Sequence, residues 1–75
     1  MKELIEYIAR AVVDNPDQVV VTDEIVEDRV VLRLQVAEVD KGKVIGKEGR
    51  IVNAMRSLLR VAAAREGTRA SLEIV

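Results

Sequence analysis

The 75-residue sequence predicts an α+β fold in the order α-β-β-α-α-β, with a three-stranded mixed sheet covered by helices on one face. Two patterns predict this order. Apolar residues recur at helical spacing in three segments, and they alternate with polar residues in the segments between. A right-handed helical crossover makes the second and third strands parallel. The length suits one domain, and no linker divides it, so we expect residues 1–75 to form a single domain.

The first helix is predicted over residues 3–14, where leucine, isoleucine, alanine and valine side chains share one face. Asn15 and Pro16 end it, because the residue before a proline is displaced from the helical region. Tyr7 is the only aromatic residue of the chain. We expect its ring to pack against the core.

The next two segments are predicted strands. Residues 19–26 are rich in β-branched side chains, and residues 30–36 alternate apolar with polar ones. Only Glu27, Asp28 and Arg29 lie between the two segments. This spacing predicts an antiparallel hairpin.

Helical spacing returns after the second strand. A short helix is predicted over Lys41–Ile45, with Asp40 as its N-cap and Gly46 as the glycine that ends it. A longer helix is predicted over residues 49–65, with Leu58 on its apolar arc.

The outer arc of that longer helix is polar. It carries Arg50, Asn53, Arg56, Ser57 and Arg60. Glu66 and Gly67 close the helix, and residues 71–75 alternate again as the last strand. The arginines at 56 and 60 fit either a contact with a binding partner or a solvated helix face.

The composition excludes several classes of chemistry. The chain has no cysteine and no histidine. Disulfides, thiolate chemistry, common zinc sites and the commonest general base are therefore ruled out. We predict no catalytic residue, no metal and no cofactor, so an enzyme is the least favoured class.

No apolar run approaches the ~20 residues that span a bilayer, and none resembles a signal peptide. We expect a cytoplasmic protein without a membrane partner.

Charge is divided unevenly along the chain. Residues 1–40 carry four basic and ten acidic side chains, whereas residues 41–69 carry eight basic and two acidic ones. A domain can gather the second set on one face and present it to a polyanion, although the net charge is −1. Mixed surface charge that merely aids solubility remains the alternative.

Two of the four glycines, Gly46 and Gly49, stand three positions apart in the segment 42–50, GKVIGKEGR. A Walker A loop needs four residues between its first two glycines, but only three separate Gly42 from Gly46. Glu48 also stands where that loop has its hydroxyl. The dinucleotide pattern fails because it requires a preceding strand. A G-x-x-G turn between two helices remains.

Such a turn lets a nucleic-acid backbone approach closely, because glycine has no side chain. The exposed N–H groups and the positive dipole end of the following helix favour phosphates, and Lys47 and Arg50 add charge. Val44 and Ile45 would form an aliphatic floor for bases, with the sheet edge as the opposite wall. Such a groove accommodates a single strand and not a duplex.

The run VIGKEGRIV, residues 44–52, resembles the core motif of KH domains, and the element order resembles their type II form. The whole chain is similar to the KhpA family of small bacterial RNA-binding proteins with a single KH domain. The resemblance implies a backbone-gripping loop with an aliphatic floor and a flanking phosphate contact. Together with two polar neighbours, the expected RNA-binding residues are Lys43, Val44, Ile45, Gly46, Lys47, Glu48, Gly49, Arg50 and Asn53. Glu48 departs from a purely basic loop and is expected to weaken affinity.

Two functions compete at this point. The resemblance implies a non-catalytic protein that binds single-stranded RNA as a chaperone or post-transcriptional regulator. A lone KH groove reads about four nucleotides, so we also expect a homodimer or a heteromer with another RNA-binding protein. The alternative is a protein–protein interaction domain that keeps the fold and uses another surface.

Overall fold

The computed structural model describes residues 1–75 and contains the six predicted elements in the predicted order. They are α1 (Lys2–Val12), β1 (Val20–Val26), β2 (Arg29–Gln35), α2 (Lys41–Ile45), α3 (Arg50–Arg65) and β3 (Arg69–Ile74). Strand β2 is central, antiparallel to β1 and parallel to β3. The predicted three-stranded mixed sheet is therefore confirmed.

The hairpin turn is shorter than predicted, because Arg29 already belongs to β2 and pairs with Val26. Only Glu27 and Asp28 turn the chain, with φ of 49° and 65°. Positive φ at both central residues is the type I′ geometry, whose twist matches that of the flanking strands. The local twist of the two strands therefore favours two turn residues over the predicted three.

The core is aliphatic, as the composition predicts. One cluster of twelve buried side chains joins the inner face of the sheet to the helices: Ile5, Ala9, Val19, Val21, Leu32, Leu34, Val36, Val44, Val52, Met55, Leu59 and Leu72. Burying one such side chain contributes roughly 1.5–3 kcal/mol. The cluster fixes α3 across the sheet and so fixes the position of the turn at the start of that helix.

Two side chains predicted to face the core lie at the surface instead. Tyr7 is 76% exposed and Leu58 is 49% exposed. On α1 the inward positions belong to Ile5 and Ala9, and Tyr7, two residues from each, points roughly 200° away from them. On α3 the inward direction centres on Leu59, and Leu58, the residue before it, lies about 100° around the helix from that direction.

Asp40 does not act as the predicted N-cap. It precedes α2, but its side chain makes no capping hydrogen bond to that helix. Its carboxylate is fully buried and accepts hydrogen bonds from the backbone N–H of Asp14 at 3.3 Å and of Asn15 at 3.0 Å. The Asn15 side-chain amide donates a third, also at 3.0 Å. Asp40 thus ties the end of α1 to the start of α2.

The same hydrogen bonds change the acidity of Asp40. Burial alone would raise its pKa, but the bonds from Asn15 and Asp14, helped by the positive charge of Lys43, lower the pKa below its ordinary value. The carboxylate is therefore ionised in the folded protein at neutral pH. Because this buried carboxylate accepts three hydrogen bonds, it acts as a fixed structural link and not as a surface charge.

Candidate nucleic-acid interface

The turn between α2 and α3 has a backbone that only glycine accommodates at its first position. Gly46 has φ 77° and ψ 170°, a region essentially reserved for glycine. A Cβ there would come within 2.7 Å of Cγ1 of Ile51. The N–H of Gly46 donates to the Gly42 carbonyl at 2.9 Å and ends α2, as predicted.

Gly49 is needed for a different reason. It adopts the left-handed conformation, with φ 74° and ψ 15°, as the residue before α3. A Cβ added there would meet Asn53 Nδ2 at 3.5 Å and Val52 Cγ1 at 4.0 Å, which are ordinary van der Waals distances. The backbone conformation is therefore the reason for glycine at position 49, whereas at Gly46 a side chain would also clash with Ile51.

A short 3₁₀ turn, Lys47–Gly49, leads into the N-terminus of α3, where the Arg50 N–H donates to the Lys47 carbonyl. No side chain caps this 16-residue helix, and its first turn contains no acidic residue. The first N–H groups of a helix lack partners within the helix, and the helix dipole makes this end positive. An anion such as a phosphate can accept hydrogen bonds from these N–H groups and is attracted to the positive end of the helix dipole.

The charges around the turn are not equivalent. A guanidinium nitrogen of Arg50 lies 3.5 Å from a carboxylate oxygen of Glu48, and both side chains are largely exposed. Glu48 itself has φ 58°, a left-handed conformation that is uncommon outside glycine. Lys47 is exposed and forms no ion pair, so it is the free cation of the turn.

The remaining predicted site residues fall into three environments. Val44 is fully buried, so it supports the turn from within the core and presents no surface to a base. Ile45 is 41% exposed and can form the expected apolar floor. The Lys43 ammonium is paired with the Asp14 carboxylate, and this hydrogen bond raises its pKa. Asn53 is exposed on the first turns of α3.

Strand β3 is an edge strand of the sheet beside α3, and it makes a contact that the sequence did not indicate. The Arg56 guanidinium donates to the backbone carbonyl of Leu72 at 3.3 Å. A cleft of about 170 Å³ lies between α3 and β3, and it is lined by Arg56, Leu59, Arg60, Ala70, Ser71 and Leu72. The only sequence signal for this contact is the position of Arg56 on the polar arc of α3.

No group of histidine, cysteine, aspartate and glutamate side chains in the structure could hold a metal ion. None of the helices has both the length and the apolar character required to cross a membrane.

The order α-β-β-α-α-β, the mixed sheet and a G-x-x-G turn joining two helices are the features of a KH domain in its type II arrangement. The family model described as KhpA/KhpB, KH domain, matches residues 2–74. The chain therefore belongs to the KhpA/KhpB family, and the predicted resemblance is confirmed.

Curated relatives match over nearly their whole length. RNA-binding protein KhpA of Treponema pallidum is 53% identical over 74 residues, covering 99% of this chain and 92% of the relative. The protein of the same name from Clostridium acetobutylicum is 47% identical over 75 residues, with full coverage of both chains. That of Aquifex aeolicus is 43% identical, covering 100% of this chain and 95% of the relative.

A solved structure shares the fold at low sequence identity. The crystal structure of Aquifex aeolicus Era bound to GDP·AlF4− matches with a TM-score of 0.66 at 18% identity. The match covers 97% of this chain but only 28% of the Era chain. It shows a likeness of fold alone.

Proposed function

We propose that this chain is a non-catalytic, cytoplasmic protein that binds single-stranded RNA, as an RNA chaperone or post-transcriptional regulator. The observation that carries the proposal is the N-terminus of α3 without a side-chain cap, preceded by the left-handed Gly49 and the free cation of Lys47. Backbone N–H groups, the positive end of the helix dipole and the Lys47 ammonium all favour a phosphate at this turn. The names of the KhpA relatives support RNA as the ligand.

The shape of the groove supports a single strand. In the proposed groove the half-exposed Ile45 would form the floor and the edge of β3 the far wall, with the narrow cleft between α3 and β3 as its continuation. An unstacked base can enter a space of this kind, while the grooves of a duplex are read by wider surfaces. With no phenylalanine or tryptophan in the chain, binding depends on backbone and aliphatic contacts and not on aromatic stacking.

We expect the protein to prefer single-stranded RNA to a blunt duplex of the same sequence and to lose affinity with salt. One turn can neutralise about three or four phosphates, and each contributes ~0.7 to the slope for single strands. The logarithm of affinity should therefore fall with the logarithm of salt concentration at a slope of roughly −2 to −3. Fluorescence anisotropy with labelled oligonucleotides from 50 to 300 mM salt measures this. Equal binding to the duplex, or affinity independent of salt, would contradict the proposal.

We propose further that the second RNA-binding module is another copy of this chain, docked through the apolar flank of α3. Leu58 and Val61 are 49% and 55% exposed on this flank. At 100° per residue they lie on the side of α3 away from Arg56 and Arg60. A dimer formed there leaves the cleft between α3 and β3 open in both copies, so two grooves can bind one RNA.

Light scattering should then give twice the mass of the chain, and Leu58→Glu should reduce it to the monomer mass by placing a charge in the contact. Val39→Glu is the matched control, because Val39 is 79% exposed but lies outside α3. A wild-type monomer at all concentrations would contradict self-association. In that case, recovery of a different RNA-binding protein in a pull-down would favour the heteromer, and the exposed Tyr7 face of α1 would be the next surface to test.

A further inference from the structure

Two arginines that the proposed groove does not use, Arg29 and Arg69, line one cavity at the start of β3 together with Arg60. The cavity has a volume of about 450 Å³, and its lining comprises Arg29, Arg60, Ala63, Ala64, Thr68, Arg69, Ala70 and Ser71. No carboxylate lines it. The three arginines are exposed and form no ion pair, whereas Arg10, Arg33 and Arg50 each have a glutamate partner.

The sheet register places two of these arginines side by side, which lowers the stability of the isolated protein. Arg29 of β2 lies directly opposite Arg69 of β3. Like charges directly opposite one another on a sheet destabilise it. Four residues further along the same two strands, Arg33 lies opposite Glu73, and the two side chains form an ion pair at 3.1 Å. The pairing of β2 with β3 therefore contains one pair of opposite charges, Arg33 and Glu73, and one pair of like charges, Arg29 and Arg69.

The cluster is continuous with the proposed groove. Asn53, Arg56 and Arg60 follow one another at i, i+3 and i+7 on α3, so they form one stripe along the flank beside β3. With a rise of 1.5 Å per residue, Arg60 lies roughly 16 Å along the helix from Gly49. A strand that leaves the turn along this flank reaches Arg60 and then the cavity.

We propose that this cavity binds backbone phosphates of the same RNA strand, beyond the nucleotides held at the turn. The inference rests on the proposed function. Guanidinium groups suit this role because their planar fork binds phosphate through two parallel hydrogen bonds. Three small alanines, at positions 63, 64 and 70, leave room for a ribose. Glu27 and Asp28 line only the neighbouring cleft, on the other side of Arg29 and Arg69. Because these carboxylates repel phosphates, the RNA strand is directed toward the side lined by alanines.

The test compares a 5-nucleotide with a 12-nucleotide oligouridylate in the Leu58→Glu background, where no second groove adds to the effect of RNA length. The groove at the turn and along α3 accommodates the shorter RNA, whereas only the longer one also extends past Arg60 to Arg29 and Arg69. The double variant Arg29→Gln with Arg69→Gln is expected to bind the 12-mer about tenfold more weakly than the unsubstituted protein. Its affinity for the 5-mer should change less than twofold. Losing two phosphate contacts should also reduce the salt slope for the 12-mer by roughly 1.4.

The matched control is Lys2→Gln with Arg10→Gln, which removes the same charge from α1 and leaves both flanks of α3 unchanged. A gain in affinity from RNA length that survives the test substitutions, or an equal loss with the control, would overturn the inference while leaving the proposed function standing. Failure of both RNAs to bind the wild type would overturn both. Normal RNA binding by the test variant, with loss of an acidic peptide ligand, would assign the cavity to a protein partner instead.

Discussion

Replacing Lys47 and Glu48 together by aspartate is expected to lower the affinity for single-stranded RNA by several-fold to a hundredfold while leaving the fold intact. Lys47 is the free cation of the turn, so an aspartate there changes the local charge by two units where a phosphate would lie. Position 48 keeps its charge, and its left-handed backbone suits aspartate better than glutamate. Exposed substitutions away from core and caps usually change stability by no more than ~0.5 kcal/mol.

Two controls isolate the charge at the turn. Glu48→Asp alone should bind RNA like the wild type, because it preserves the charge. Lys2→Asp makes the same two-unit change in the first turn of α1, away from the interface. Anisotropy titrations with a single-stranded oligonucleotide, together with circular dichroism and melting curves, measure both effects. Unchanged RNA affinity in the folded double variant would make the turn a mere helix connector and would favour the protein-interaction alternative.

Asp40→Asn is expected to give the largest loss of stability, lowering the melting temperature by roughly 15 °C at pH 7. The amide keeps the shape but loses the charge, and if its oxygen keeps the two hydrogen bonds from Asn15, its N–H₂ group meets the N–H of Asp14. Buried donors left without an acceptor are among the few causes of large destabilisation. The Lys43 ammonium, 3.9 Å from the carboxylate, also loses its charge partner.

The pH dependence of this effect has a defined sign. The folded pKa of Asp40 is lowered from the ordinary 3.8, so its stabilising contribution is complete above about pH 4. It is lost as the pH falls through the lower folded pKa. The difference in melting temperature between wild type and Asp40→Asn should therefore be largest near neutral pH and shrink below about pH 4.

Asp17→Asn, on an exposed turn, is the matched control and should melt like the wild type. Thermal melts followed by circular dichroism between pH 3 and pH 7 provide the comparison. A variant at Asp40 that melts within a few degrees of the wild type, or a difference that grows toward acid, would show that the carboxylate does not link α1 to α2.

The sequence alone determined the features of this protein that depend on neighbouring residues. The order of the helices and strands follows from hydrophobic periodicity, which is a local property. The position of the turn follows from Gly46 and Gly49, because their positive φ values are imposed within a few residues. The exposure of the Lys47 ammonium likewise depends on neighbouring residues, because Lys47 lies in the turn between the two glycines. These features were enough to predict the α-β-β-α-α-β fold and to locate the candidate interface, and the resemblance of residues 44–52 to the KH motif supplied the family.

Only the tertiary structure decided which polar and apolar side chains of that interface are available to a ligand. Val44 is taken up by the core, and Lys43 is paired with a carboxylate 29 residues away in sequence. Asp40 accepts hydrogen bonds across 25 and 26 residues, and its predicted role as an N-cap was wrong for that reason. The opposition of Arg29 and Arg69 depends on strand register. Such contacts depend on how elements pack and align, and no local pattern specifies that alignment.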